Sequence, residues 1–147
     1  MANEHYTAST SQAAGTSGLN ATLARYAPAL HAVLRIGAGL LFMQHGAQKL
    51  FGLLGGTQVE SLFSLMGLAG ILEFFGGLLI VLGLFTQPVA IILALEMVVA
   101  HFMAHQPQGG FPIQNDGELA LLYALVFAFL ATAGAGPASL DNRLRNR

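Results

Sequence analysis

The sequence predicts an all-α integral membrane protein, a four-helix bundle with both termini cytoplasmic. Of its 147 residues, 54% are hydrophobic and 9% are charged, whereas soluble domains carry about 25% charged residues. Four long apolar segments follow a polar N-terminal stretch. Arginine also occurs at the two ends of this apolar region and is absent from the loop before its last segment.

Each apolar segment is close to or above the length of about 17 residues that a helix needs to cross a bilayer. None shows the alternating polarity of a half-buried strand. A two-residue link before Pro88 predicts that the second and third segments form an antiparallel hairpin. In the polar loop after the third segment, Asp116 is placed to cap the fourth helix. The segments run from Ala29 to Leu54, from Leu62 to Phe85, from Pro88 to His105 and from Glu118 to Ala135.

Three regions are predicted. Residues 1–27 are rich in Ser, Thr, Ala and Gly and have no sustained apolar period, which is typical of a polar, disordered tail. Residues 28–138 form the four-helix transmembrane domain, with Pro28 at the expected start of the first helix. Residues 139–147 form a basic cytoplasmic tail.

Composition excludes several functions. The chain has no cysteine, so disulfides, thiolate metal sites and iron–sulfur clusters held by this subunit are excluded. Six Lys and Arg residues in the whole chain make no basic face of the kind that binds nucleic acid.

The positive charges predict the orientation. Arg25 precedes the first apolar segment, and Arg143, Arg145 and Arg147 follow the last. By the positive-inside rule, both ends of the chain then lie in the cytoplasm. Lys49, near the opposite end of the first helix, breaks this pattern and is interpreted as a residue kept for a local purpose.

Ionisable residues inside the apolar segments are the candidates for function, because each is costly in a membrane and needs a partner. Counted from the predicted helix ends, Arg35 and Glu96 lie roughly 10 and 12 Å from the cytoplasmic side. This matching depth predicts a structural ion pair, and the open alternative is that one or both orient a ligand. Glu73 lies near mid-depth on the same face as Gly70 and Gly77 and has no counter-charge unless Arg35 or Lys49 reaches it.

A second group gathers toward the external side. His45 and Lys49 are four residues apart on the first helix, His101 and His105 are four apart on the third, and Glu118 opens the fourth. Residues at this spacing share a helix face. These five side chains would form the mouth of the bundle, and a mouth of this composition is suited to the polar head group of a quinone. The alternatives are histidines solvated at the interface, and a metal pair at the two histidines of the third helix, for which HxxxH alone is a weak signal.

Four stretches carry a resemblance to a known family. They are RIGAGLLFMQHGAQKLFG at Arg35–Gly52, GILEFFGGLLIVLGLFTQPVA at Gly70–Ala90, NDGELALLYAL at Asn115–Leu125, and GAGPASLDNRL near the C-terminus. Occurring in this order on four predicted helices, they resemble the DoxX family of small bacterial inner-membrane proteins. The resemblance covers roughly residues 29–144.

This resemblance implies a multi-pass protein of the bacterial inner membrane that is linked to an oxidoreductase. The related DoxD-type subunit works with a small partner in a thiosulfate:quinone oxidoreductase. Since the chain has no cofactor motif, electrons would come through a mobile quinone or a partner subunit.

Two functional hypotheses follow. In the first, His45, Lys49, His101 and His105 bind a quinone while Glu73 or Glu118 relays protons, and a partner subunit supplies any redox cofactor. In the second, the protein is a non-enzymatic assembly partner or a binder of a small hydrophobic molecule, and its charges serve packing only. On either hypothesis, the many glycines of the chain would allow it to pack as a homo-oligomer.

Overall fold

The computed structural model describes residues 11–146, with side chains from residue 18 onward, and every regular element in this range is helical. Residues 1–10 and residue 147, which belong to the two predicted tails, lie outside the described residues. The helices are α1 (Ser11–Phe51), α2 (Leu65–Leu82), α3 (Thr86–Gln108), α4 (Glu118–Ala133) and α5 (Leu140–Arg145).

Three of these helices are long and apolar enough to cross a membrane, namely α1 over Gly18–Phe51, α2 and α3. The fourth, α4, is apolar but has 16 residues, a length of about 24 Å. Many large apolar side chains are exposed on the outer faces of these helices, as expected of surfaces that face lipid. The all-helical prediction is confirmed for the described residues.

The first helix is much longer than the sequence predicted. It begins at Ser11 rather than Ala29, so residues 11–27 are helical instead of forming an irregular tail. Alanine, leucine and arginine in this stretch favour a helix, and the helix continues through Pro28 although proline removes one backbone donor. Residues 18–30 are all exposed, so this part of α1 projects from the bundle.

The hairpin prediction is confirmed, with a turn over residues 83–85 between α2 and α3. Gly83 ends α2 with a φ of 65°, a left-handed conformation that glycine adopts without strain. Side chains of Leu93 on α3 pack against Gly76 on α2. The two helices are therefore antiparallel.

The second helix packs closely against the first. Its Gly77 lies against Gly39 on α1, where a Cβ atom on Gly39 would come within 2.8 Å of the Gly77 carbonyl oxygen. A Cβ atom on Gly46 would come within 2.4 Å of the Phe74 backbone nitrogen. Helices in lipid gain little from the hydrophobic effect, so close backbone contact of this kind holds α1 and α2 together.

The core lies where α1 and α2 meet the closely packed pair α3 and α4. The Phe42 ring on α1 packs against Tyr123 and Phe127 on α4, with ring centroids 5.0 and 4.8 Å apart. Edge-on aromatic contacts of this kind are favourable. The buried core residues are Phe42, Ile80, Ala90, Leu93, Met97, Ala120, Tyr123, Ala124, Phe127 and Leu130.

Two helices change their winding where the predicted polar residues lie. Residues Leu72–Gly76 of α2 and His101–His105 of α3 form single π-helical turns. Such turns are rare and are frequently found at functional sites. The first contains Glu73, and the second begins and ends with the two histidines.

The contact at Gly46 yields a stability prediction. We expect Gly46→Ala to destabilise the bundle by about 1–3 kcal/mol, because the added methyl group meets backbone that cannot move aside. The matched control is Gly37→Ala on the same helix, where a Cβ atom meets nothing within 4 Å and helix propensity favours alanine. The measurement is the temperature at which the protein in detergent loses its monodisperse elution profile. Equal melting temperatures for the two variants would contradict the close contact.

Candidate functional site

An ion pair joins α1 to α2 inside the bundle. The Lys49 ammonium donates hydrogen bonds to both carboxylate oxygens of Glu73, with Nζ–Oε1 and Nζ–Oε2 distances of 2.7 and 2.6 Å. Glu73 is buried and the Lys49 side chain is 21% exposed. Lys49 is thus the counter-charge that the sequence left open for Glu73. The close packing of Gly70 against the stem of Lys49 positions the two side chains.

The pair lines a polar cavity of about 260 Å³ among the four long helices. The cavity lies where α1 and α3 end and where α2 and α4 begin, below the loops that join them. Most of its wall is apolar, and we call it the polar cavity after the polar and ionisable side chains that also line it. These are His45, Lys49, Glu73, Glu96, His105, Asp116 and Tyr123.

The three histidines of the predicted mouth occupy different positions. His45 lines the cavity and meets the Tyr123 ring edge-on, with centroids 5.9 Å apart. His105 also lines it, and its Nδ1 is hydrogen-bonded to the Asn115 carbonyl oxygen at 3.0 Å. His101 is buried behind the wall, stacked on His105 with centroids 6.3 Å apart. The structure thus places two of the three predicted histidines at the cavity and the third behind its wall.

Glu118 does not join the site. It is exposed in the first turn of α4, where the helix dipole favours a carboxylate. Its predicted proton-relay position in the cavity is wrong, because the rotation of α4 turns Tyr123 inward and Glu118 outward. Asp116 also differs from its prediction: it lines the cavity, whereas the N-cap of α4 is Gly117, whose N–H donates to the Asn115 side chain.

The predicted ion pair between Arg35 and Glu96 is wrong as well. Arg35 is completely buried, and its Nη1 donates to the carbonyl oxygens of Ile80 and Val81, each at 2.6 Å. Its Nη2 donates to the carbonyl oxygen of Ala138. The last carbonyl groups of a helix have no partner within that helix. The Arg35 guanidinium donates hydrogen bonds to two such carbonyl groups at the end of α2. Arg35 is thus a structural residue that ties α2 to the segment before α5.

Glu96 lies in the cavity wall instead. Neither of its carboxylate oxygens has a hydrogen-bond partner among the described residues, although both oxygens are buried. A buried polar group without a partner is costly and therefore calls for an explanation. The sequence could not assign this position, because it supplies depth along a helix but not the direction of a side chain.

The histidine pair on α3 has no further metal-ligating side chain close to it among the described residues. Within residues 11–146, no group of three or more His, Cys, Asp or Glu side chains lies close enough to hold a metal ion.

The segment after α4 makes structural contacts with the α2–α3 turn. Ser139 caps α5, and the Asp141 carboxylate accepts hydrogen bonds from the backbone N–H groups of Phe85 and Thr86, at 2.8 and 2.9 Å. Asp141 thereby caps α3 and holds the α2–α3 turn against α5. The predicted C-terminal tail is therefore a docked helix over Leu140–Arg145.

Asp141 gives the fold a dependence on acid. Burial raises the pKa of this carboxyl group, but the two backbone hydrogen bonds and the nearby Arg35 outweigh burial, so its pKa lies below the usual value. A group with a lowered pKa in the folded state stabilises the protein above its unfolded pKa, and this contribution disappears as the pH falls through the folded value.

We therefore expect wild-type protein to lose thermal stability below about pH 4, and Asp141→Asn to be less stable at neutral pH with a weaker acid dependence. The measurement is the melting temperature in detergent over a pH series. Glu60→Gln is the control, since it removes an exposed carboxylate from the loop before α2. A wild-type acid dependence in the Asp141 variant would count against this capping role.

The described architecture defines a class of protein: a multi-pass membrane protein that encloses a polar cavity near one end of its helices. Residues 30–106 match the model of the DoxX family, and the chain belongs to this family. An uncharacterized protein of Haemophilus influenzae (strain ATCC 51907 / DSM 11121 / KW20 / Rd) is 41% identical over 128 residues, covering 82% of this chain and 95% of the relative. No solved structure matches the chain significantly.

Proposed function

We propose that this protein binds a lipid-soluble quinone in the polar cavity and serves as a subunit of a membrane oxidoreductase complex. The observation that carries the proposal is the cavity itself, a group of hydrogen-bonding side chains around a buried ion pair in an apolar bundle. Ionisable groups inside a membrane protein commonly mark a functional site, because their insertion is costly.

The proposed membrane topology has four spans and cytoplasmic termini in the bacterial inner membrane. Arg25 precedes the bundle, and Arg143 and Arg145 lie on α5, while residues 106–117 carry no Lys or Arg. This distribution supports cytoplasmic termini. The cavity would then open near the external side. The 16 residues of α4 reach across the bilayer if the residues flanking this helix extend into the headgroup regions.

The cavity wall matches the chemistry of a quinone head group. Quinone carbonyl oxygens accept hydrogen bonds, and Lys49, the imidazoles of His45 and His105, and the Tyr123 hydroxyl can donate them. A volume of about 260 Å³ lies just below the range of roughly 300–1,000 Å³ for small-molecule sites. The cavity thus suits one ring and not a long chain.

Quinone reduction consumes two electrons and two protons and yields the quinol. The chain has no cysteine, so the electrons would come from a redox cofactor on a partner subunit. The Lys49 ammonium is hydrogen-bonded to the Glu73 carboxylate in the cavity wall. Such a pair is suited to pass protons to the ring oxygens of a bound quinone.

The second candidate function is a non-enzymatic assembly partner or a binder of another small hydrophobic molecule. The observation that favours it is Arg35, a buried charge whose contacts to backbone carbonyls serve packing alone. In that case the cavity residues would also stabilise the fold without binding quinone.

Quinone affinity of purified variants separates the two functions. We expect His45→Ala/Lys49→Ala to weaken binding of a short-chain ubiquinone analogue at least about tenfold, because it removes two donors. Lys49→Met/Glu73→Gln is a second variant, which removes both charges together and leaves no unpaired ion. Gln44→Ala, an exposed change beside His45, is the control and should bind like wild type. Wild-type affinity in both folded cavity variants would reject the quinone site.

A further inference from the structure

An apolar groove runs along the outer side of the bundle between α2 and α3. Its volume is about 290 Å³, and its wall is made of leucine, isoleucine, valine, methionine and alanine side chains with one ionisable exception, Glu96. The groove adjoins the polar cavity, because five residues line both spaces. The shared residues are Met66, Ala69, Glu96, Ala100 and Ala104.

Most of the residues shared by the groove and the cavity have small side chains. Ala69 on α2 and Ala100 and Ala104 on α3 carry only a methyl group. Bulky residues such as Leu68 and Leu95 flank the groove on its outer side and are exposed. At the junction between groove and cavity, α2 and α3 therefore present mostly methyl groups, which obstruct a thin apolar chain less than larger side chains would.

Glu96 lies at this junction with both carboxylate oxygens buried and unpartnered. It is not needed to balance the charge of Lys49, which pairs with Glu73. A carboxyl group in an apolar wall with no partner in the fold is costly unless a ligand completes it. A protonated Glu96 carboxyl group can donate to a carbonyl oxygen of a head group in the cavity, and an ionised one can accept from a ring hydroxyl.

We propose that the α2–α3 groove is a lateral portal that holds the apolar chain of an amphiphilic ligand, while Glu96 at its inner end hydrogen-bonds the head group of that ligand. This inference rests on the proposed quinone function. It adds the route by which the ligand enters from the bilayer, and it assigns Glu96 to the head group. The occupant is a single-chain amphiphile, because the cavity holds a ring and the groove, which is almost entirely apolar, holds its tail.

The absence of cysteine in the chain allows a direct test of the groove. Val99→Cys places a thiol in the groove, and Leu40→Cys places one on α1 outside it; the native side chains are 48% and 50% exposed. The rate of modification by N-phenylmaleimide is measured in detergent with a fully ring-substituted benzoquinone that carries a decyl chain, and with the same ring carrying a methyl group in place of the chain, because an open ring position would add to the thiol. We expect the chain-bearing quinone alone to slow modification at Val99→Cys severalfold, with no effect at Leu40→Cys.

Other outcomes would overturn the portal. If both quinones bind but neither protects Val99→Cys, the proposed function stands and the portal is rejected. If neither binds, the proposed function fails and the portal fails with it. If Val99→Cys is protected without quinone and cross-links to a second copy, the groove is an interface between two copies of this chain instead.

Glu96→Leu tests the role of the carboxyl group. Because the wild-type carboxylate is buried without a partner, its removal should leave the melting temperature unchanged or raise it. The same variant should bind both quinones at least about tenfold more weakly. Wild-type affinity in Glu96→Leu would reject the contact to the head group, and a marked loss of stability would indicate a packing role.

Discussion

The ion pair between Lys49 and Glu73 is the interaction on which the arrangement of the site depends. Each charge alone would be costly inside an apolar bundle, and removing one partner leaves the other uncompensated. The pair forms because α1 and α2 approach closely, with Gly46 against the backbone of Phe74 and Gly70 against the stem of Lys49. The ion pair therefore depends on the glycine packing, since a wider separation of α1 and α2 would also separate the two charges.

The rest of the cavity follows from this contact. With α1 and α2 fixed, Phe42 packs against Tyr123 on α4, and Tyr123 faces the cavity. The π-helical turns in α2 and α3 coincide with Glu73 and with the two histidines of α3. At the opposite end, Arg35 and Asp141 provide partners for helix termini. One end of the bundle is therefore capped, whereas the other holds a polar space with an unpartnered carboxylate.

The sequence predicted the helices and the membrane character because apolar length and composition are direct consequences of the bilayer. It also predicted the gathering of His45, Lys49 and His105, which lie at matching ends of adjacent helices. It failed for Arg35 and Glu96, because Arg35 lies level with the last turn of α2 whereas Glu96 lies in the cavity wall nearer the other end of the bundle. Periodicity gives no access to the partners of Arg35, which are backbone carbonyls, or to the rotation that turns Glu118 outward.

The most direct test of this account is a pair of double-mutant cycles for unfolding by sodium dodecyl sulfate in mixed micelles. One cycle combines Lys49→Met with Glu73→Gln, and the control cycle combines Arg35→Met with Glu96→Gln. We expect a coupling free energy of about 1–3 kcal/mol for the first pair and additivity within roughly 0.5 kcal/mol for the second. Additive effects at Lys49 and Glu73, or strong coupling between Arg35 and Glu96, would contradict the arrangement described here.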